Sequence, residues 1–228
     1  MQIPPEKPSM KSFFLRLIAG VIAGITGALI LLVSYLVMAT YIEPIINPAT
    51  SLSGETTVHP MFTFLFMVII FIAILATNLI GSFLMGIFVK ERYTRLSESI
   101  SKILFLNLMI FVLMIPLYLV VANIDVRYLF YAVILQIFLS SQASILTLEI
   151  VSNPVHAIIG VYSTTIGILL SGGILFLINK FSLTSMGLFF GVFPAVWIFM
   201  SLSHGLLSLF YGMMVEASGK DFLAINRE

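Results

Sequence analysis

Long apolar runs broken by short polar stretches organise this chain. The runs extend from about Phe13 to Tyr41, Met61 to Val89, Ile103 to Val121, Tyr128 to Ile150, Val155 to Ile178 and Met186 to Met213. Each is long enough to cross bilayer hydrocarbon as a helix, for which about 20 residues suffice. The first run is much longer than the apolar core of a signal peptide, roughly 7–15 residues, so it reads as a retained span. Residues 42–60 carry Pro44, Asn47, Pro48, Ser51, Ser53 and Gly54 and read as a turn-rich loop. The pattern therefore predicts an all-α integral membrane protein, a six-transmembrane-helix bundle forming a single domain over residues 13–213. Residues 1–12, with Pro4, Pro5, Pro8, Lys7 and Lys11, read as a disordered basic lead-in, and residues 214–228 as a short tail.

Polar residues inside the runs give the bundle an inside. Gln136, Ser140, Ser144 and Thr147 follow i, i+4, i+8, i+11 spacing in the fourth run, so one helix face carries them all. Hydrocarbon offers such groups no hydrogen-bond partner, so the stripe should face protein or water. Gly20-Val-Ile-Ala-Gly24, Gly187-Leu-Phe-Phe-Gly191 and the Gly167, Ser171 pair place small residues four apart, which lets helix backbones approach closely, within one bundle or between two copies. Pro116 and Pro194 are expected to kink their helices.

Composition sharpens this. Hydrophobic residues make up 60% of the chain and charged ones 9%, where soluble proteins have about 25% charged. No soluble domain fits beside six spans, so any chemistry belongs to the bundle or its short loops. A net charge of +1 gives no basic field for nucleic acid. The absence of cysteine removes disulfides and thiolate chemistry. Charge placement orients the chain: Lys7, Lys11, Arg16, Lys90, Arg92, Arg95, Lys102, Lys220 and Arg227 fall on one side of six spans, Arg127 and Lys180 on the other. The basic side is expected to be cytoplasmic, with both the N- and C-termini there and the chain multi-pass in a cell membrane of the cytoplasmic type.

Among single residues, His204 stands out, because an ionisable group well inside a span is costly and often functional. A neutral imidazole bonded to a neighbouring helix is the structural alternative to a proton-handling role. Glu149 and His156 mark the mouth between the fourth and fifth spans. Glu149 reads as a helix-end carboxylate snorkelling to water, and Arg16 and Tyr41 as interface anchors. Asn78, Asn107 and Gln142 read as interhelical glue, worth about 1 kcal/mol each at best. Three histidines without ligand spacing point to no metal centre. Phosphate-cradling glycine loops, His-Glu-x-x-His and Gly-x-Gly-x-x-Gly are absent, so no cofactor and no catalytic residue is assigned.

Two layouts are familiar. Six spans with His204-Gly205-Leu-Leu-Ser208 in the last resemble a rhomboid intramembrane protease, whose sixth helix carries a general base. That family's Gly-x-Ser-Gly nucleophile turn is missing, so the resemblance implies at most an inactive relative. The charged segment Lys90-Glu91-Arg92-Tyr93-Thr94-Arg95 after the second span, with Leu170-Ser171-Gly172-Gly173 late in the fifth, resembles the six-span permease subunits of ATP-binding-cassette exporters. That resemblance implies a separate ATPase docked on Arg92 and Arg95. The expectation is a non-catalytic, permease-like transport subunit. A scaffold subunit of a membrane complex, or an inactive rhomboid-like protein, is the alternative. The expected partners are the lipid bilayer, other membrane subunits or further copies of the chain, and that ATPase. The polar interior is expected to comprise Gln136, Ser140, Ser144, Thr147 and His204.

Overall fold

A computed structural model describes residues 9–42, 60–90, 93, 95–124, 127–152, 157–181 and 185–219. These form six long helices: α1 (Met10–Val37), α2 (Pro60–Phe88), α3 (Leu96–Ile124), α4 (Arg127–Ser152), α5 (Ala157–Lys180) and α6 (Ser185–Ser218). No strand occurs among the described residues. All six helices are long and apolar enough to cross a membrane, and the chain is a six-span bundle.

Two helices lie innermost. α6 packs along α1 on one side and α5 on another, while α4 packs mainly on α3 and touches α2, α5 and α6. Trp197, Phe193, Val192, Val196 and Met200 of α6 are all buried. The outer faces are apolar, as a lipid-facing surface requires: Leu113 of α3 and Leu169 of α5 are 72% and 69% exposed.

Small residues bring α1 onto α6. A Cβ added to Gly20 would overlap the Ser201 hydroxyl, and one added to Gly24 would lie 2.7 Å from Pro194 Cα. At Gly167, an added Cβ would be 3.2 Å from Met200 Cα, so α5 also approaches α6 closely. In lipid, this contact of backbones supplies dispersion that bulkier side chains would forfeit. The glycine motif of α1 is thus used within the bundle. Gly191 makes no such approach, its nearest neighbour being Ile178 at 4.0 Å.

Several helix ends extend past the apolar runs. α1 begins at Met10, inside the expected lead-in, because the Ser9 hydroxyl caps it by accepting from the Ser12 N–H at 3.3 Å. α3 begins at Leu96 rather than near Ile103. Its first turn is polar but helical, with Lys102 Nζ 2.6 Å from Glu98 Oε1 at i, i+4 spacing and the Ser99 hydroxyl donating to the Arg95 carbonyl. α6 continues to Ser218, where Gly219 takes φ +66 and its N–H reaches the Val215 carbonyl. Residues 1–8 and 220–228 lie outside the described residues.

Candidate functional site

The face of α1 that carries Gly20, Gly24 and Gly27 also carries Arg16, one turn earlier. Packing those glycines on α6 therefore turns Arg16 toward α6 as well. Arg16 is buried, 2% exposed, and so is Glu149 of α4. Arg16 Nη2 lies 3.2 Å from Glu149 Oε1, forming an ion pair inside the bundle. The same carboxylate oxygen accepts from the Tyr93 hydroxyl at 2.5 Å and lies 3.6 Å from His204 Nδ1. Tyr93 belongs to the connection between α2 and α3, yet its side chain is 4% exposed, and the Arg16 guanidinium stands 5.6 Å over its ring.

α5 closes the site. An added Cβ on Gly160 would meet Glu149 Cβ at 3.3 Å, so α5 runs close to the carboxylate. One turn on, Thr164 Oγ1 lies 3.1 Å from His204 Nε2. With Nδ1 facing a carboxylate, the favourable neutral tautomer carries its proton there, and Nε2 accepts from the Thr164 hydroxyl. The site thus joins α1, α4, α5, α6 and the α2–α3 connection at the end of the bundle where α1, α3 and α5 begin.

The charges are incompletely satisfied. No guanidinium nitrogen of Arg16 has an aligned hydrogen-bond acceptor among the described residues, so the 3.2 Å contact is electrostatic rather than a formed hydrogen bond. The order hydroxyl, imidazole, carboxylate is that of an acyl-transfer triad. Here the carboxylate is engaged more tightly by Arg16 and Tyr93 than by His204. Thr164 is also mid-helix, where backbone N–H groups serve the helix ladder and leave no oxyanion pair beside it.

The α4 stripe has a different fate. Gln136, Ser140 and Ser144 are buried. Gln136 Oε1 accepts from the Tyr118 hydroxyl of α3, and Ser144 Oγ accepts from Asn107 Nδ2 at 2.8 Å. Asn107 Oδ1 in turn accepts from Asn78 Nδ2, and Asn78 Oδ1 from the Ser141 hydroxyl, both at 2.8 Å. These bonds tie α2, α3 and α4 together, which is the gluing role expected of the asparagines. Thr147 is half-buried. Arg95 is 58% exposed, 4.0 Å from Glu98. Arg92 and His156 lie outside the described residues.

Two readings need correction. Glu149 is no solvated helix end and Arg16 no interface anchor, because the helices that flank them seal both from water and pair them. Sequence reasoning also missed Tyr93 and Thr164. The signal for Arg16 was present: it shares the i, i+4, i+8, i+11 face of Gly20, Gly24 and Gly27, and an opposite charge stands at the same end of another span. Tyr93 gave no such signal within its charged surroundings.

Fold and site together define a polytopic six-span membrane protein with a buried ion pair at one end. No known family model, curated protein or solved structure matches the chain.

Proposed function

We propose that the protein is a permease-like transport subunit whose working site is the Arg16, Glu149, His204 cluster. The observation that carries this reading is a buried ion pair whose carboxylate oxygen is shared by Arg16, Tyr93 and His204 on three different segments, since ionisable groups kept inside a membrane bundle characteristically mark substrate or ion paths. The lysine and arginine bias puts this end on the cytoplasmic side. The α2–α3 connection then links the site to a separate ATPase. Arg95 is exposed on it for docking, Arg92 lies in the same segment, and Tyr93 reaches from it to Glu149. A partner that displaces the connection pulls on the carboxylate.

The scaffold alternative draws no support from the α4 stripe, whose Gln136 and Ser144 bond to α3 within the bundle. The rhomboid-like alternative meets no nucleophile turn at His204.

The cysteine-free chain makes the test direct. Single cysteines at Thr164 and Ser201 are treated with a membrane-impermeant thiol reagent, with and without whatever ATPase co-purifies in mild detergent. Reaction from one side, changing when the partner and ATP are added, is expected. Complete protection under every condition would overturn the transport reading.

A further inference from the structure

The Arg16 guanidinium carries five N–H donors, and none has an aligned acceptor among the described residues although the side chain is 2% exposed. Leaving buried donors of a cation unmade is expensive, and proteins keep such an arrangement where something else completes it. We propose that Arg16 is the binding residue for a phosphate-class oxyanion, which takes the guanidinium's in-plane edge while Glu149 shifts its hold to Tyr93 and His204. This rests on the transport reading, whose site it gives a substrate class.

Three features bear on that chemistry. The guanidinium carbon of Arg16 stands 5.6 Å over the Tyr93 ring, and its N–H fork has no aligned acceptor among the described residues. That planar fork matches a phosphate's oxygens two at a time. Glu149 has two other groups beside the same oxygen: the Tyr93 hydroxyl at 2.5 Å and His204 Nδ1 at 3.6 Å. Finally, among the described residues at the same end the exposed cations Lys11, Lys90, Arg95 and Lys102 outnumber the exposed Glu98 and Glu216, a surface excess that favours anions.

The phosphate has two sources, a lipid headgroup or a free anion. Arg16 lies six residues into α1, about 9 Å along its axis, a depth that both can reach. The experiment uses the full chain, delipidated in a maltoside detergent. Equilibrium binding of radiolabelled orthophosphate is measured, and retention of added dioleoylphosphatidylglycerol is followed by native mass spectrometry. One phosphate per chain from either probe is expected: saturable orthophosphate assigns a free anion, and retained lipid alone assigns a headgroup. Arg16→Lys should weaken binding about tenfold or more, because an ammonium lacks the fork. Glu149→Gln should tighten it, because the competing carboxylate is gone, whereas an ion pair that serves only the fold would show no phosphate dependence in either variant. The double variant Arg16→Met/Glu149→Met removes both charges together and serves as the folded non-binder. Failure of the wild-type chain to bind either probe, or equal binding by that double variant, overturns the inference. No transport is measured, so a chain that binds phosphate and moves nothing counts against the transport reading alone. One that moves a solute but binds neither probe counts against this inference alone.

Discussion

The middle of the bundle and its basic end are both polar and both buried, yet they meet the cost of burial in opposite ways. In the middle, Ser141, Asn78, Asn107 and Ser144 are neutral, and in that order each bonds to the next at 2.8 Å across α4, α2, α3 and back to α4. At the end, a full positive and a full negative charge are enclosed, three groups crowd one oxygen of Glu149, and the guanidinium finds no aligned acceptor. The first region specifies which helices touch. The second holds charge in a state that a small displacement changes, because giving up one partner of Glu149 leaves others in place. A neutral network that loses a bond loses only that bond.

Substitutions separate the two regions by size of effect. The largest is expected at the charged end. Glu149→Leu leaves Arg16 charged and uncompensated and should cost about 3–5 kcal/mol, whereas Arg16→Met/Glu149→Met should recover most of that loss. Thermal unfolding in detergent checks both, and a double variant as unstable as the single would mean that the pair does not act as a unit. Gly24→Leu comes next. It drives a side chain into Pro194 and should cost roughly 1–3 kcal/mol or more by forcing α1 off α6. Because Arg16 rides on the same face, that variant should also expose Glu149. Faster labelling of a cysteine at Thr164 would report it.

The middle should respond more mildly. Asn107→Leu removes two interhelical bonds and leaves Asn78 and Ser144 short of partners, for about 1–2 kcal/mol. It should leave labelling at Thr164 unchanged, and a change there would show that the regions are coupled. The smallest effect is expected for Tyr118→Phe. It deletes the single bond to Gln136, worth about 0.6 kcal/mol, and equilibrium unfolding of the two chains side by side would detect it.

The architecture was largely legible in the sequence, because hydrophobic length decides which segments span and a membrane leaves the backbone little choice but helix. The stripe on α4 was legible too, since Gln136, Ser140 and Ser144 share a face by spacing alone. What spacing on one helix cannot give is which neighbour that face meets, and so the stripe gave no hint that α3 would bond Gln136 Oε1 and Ser144 while Gln136 Nε2 and the Ser140 hydroxyl keep no partner among the described residues. The end cluster was harder for the same reason. Arg16, Tyr93, Glu149 and His204 sit on four segments, and only the approach of α1 to α6 over Gly20 and Gly24 brings them together. Residues near span ends are ordinarily solvated, and the rule that places them in water fails here because flanking turns such as the polar start of α3 continue as helix past the apolar run.

The Arg16 to Glu149 contact also bears on how the protein is made. Synthesis delivers α1 to the membrane first, with an arginine whose counter-charge arrives only on the fourth helix and whose closest packing surface arrives only on the sixth. Until α4 arrives the first span holds its arginine without its partner, and until α6 arrives α5 lacks the Met200 and Ser203 that lie against Gly167. A nascent chain stopped after α5 therefore lacks the helix against which both α1 and α5 pack most extensively. Arrival of α4 supplies the counter-charge, and insertion of α6 is the step that closes the packing surface over the pair.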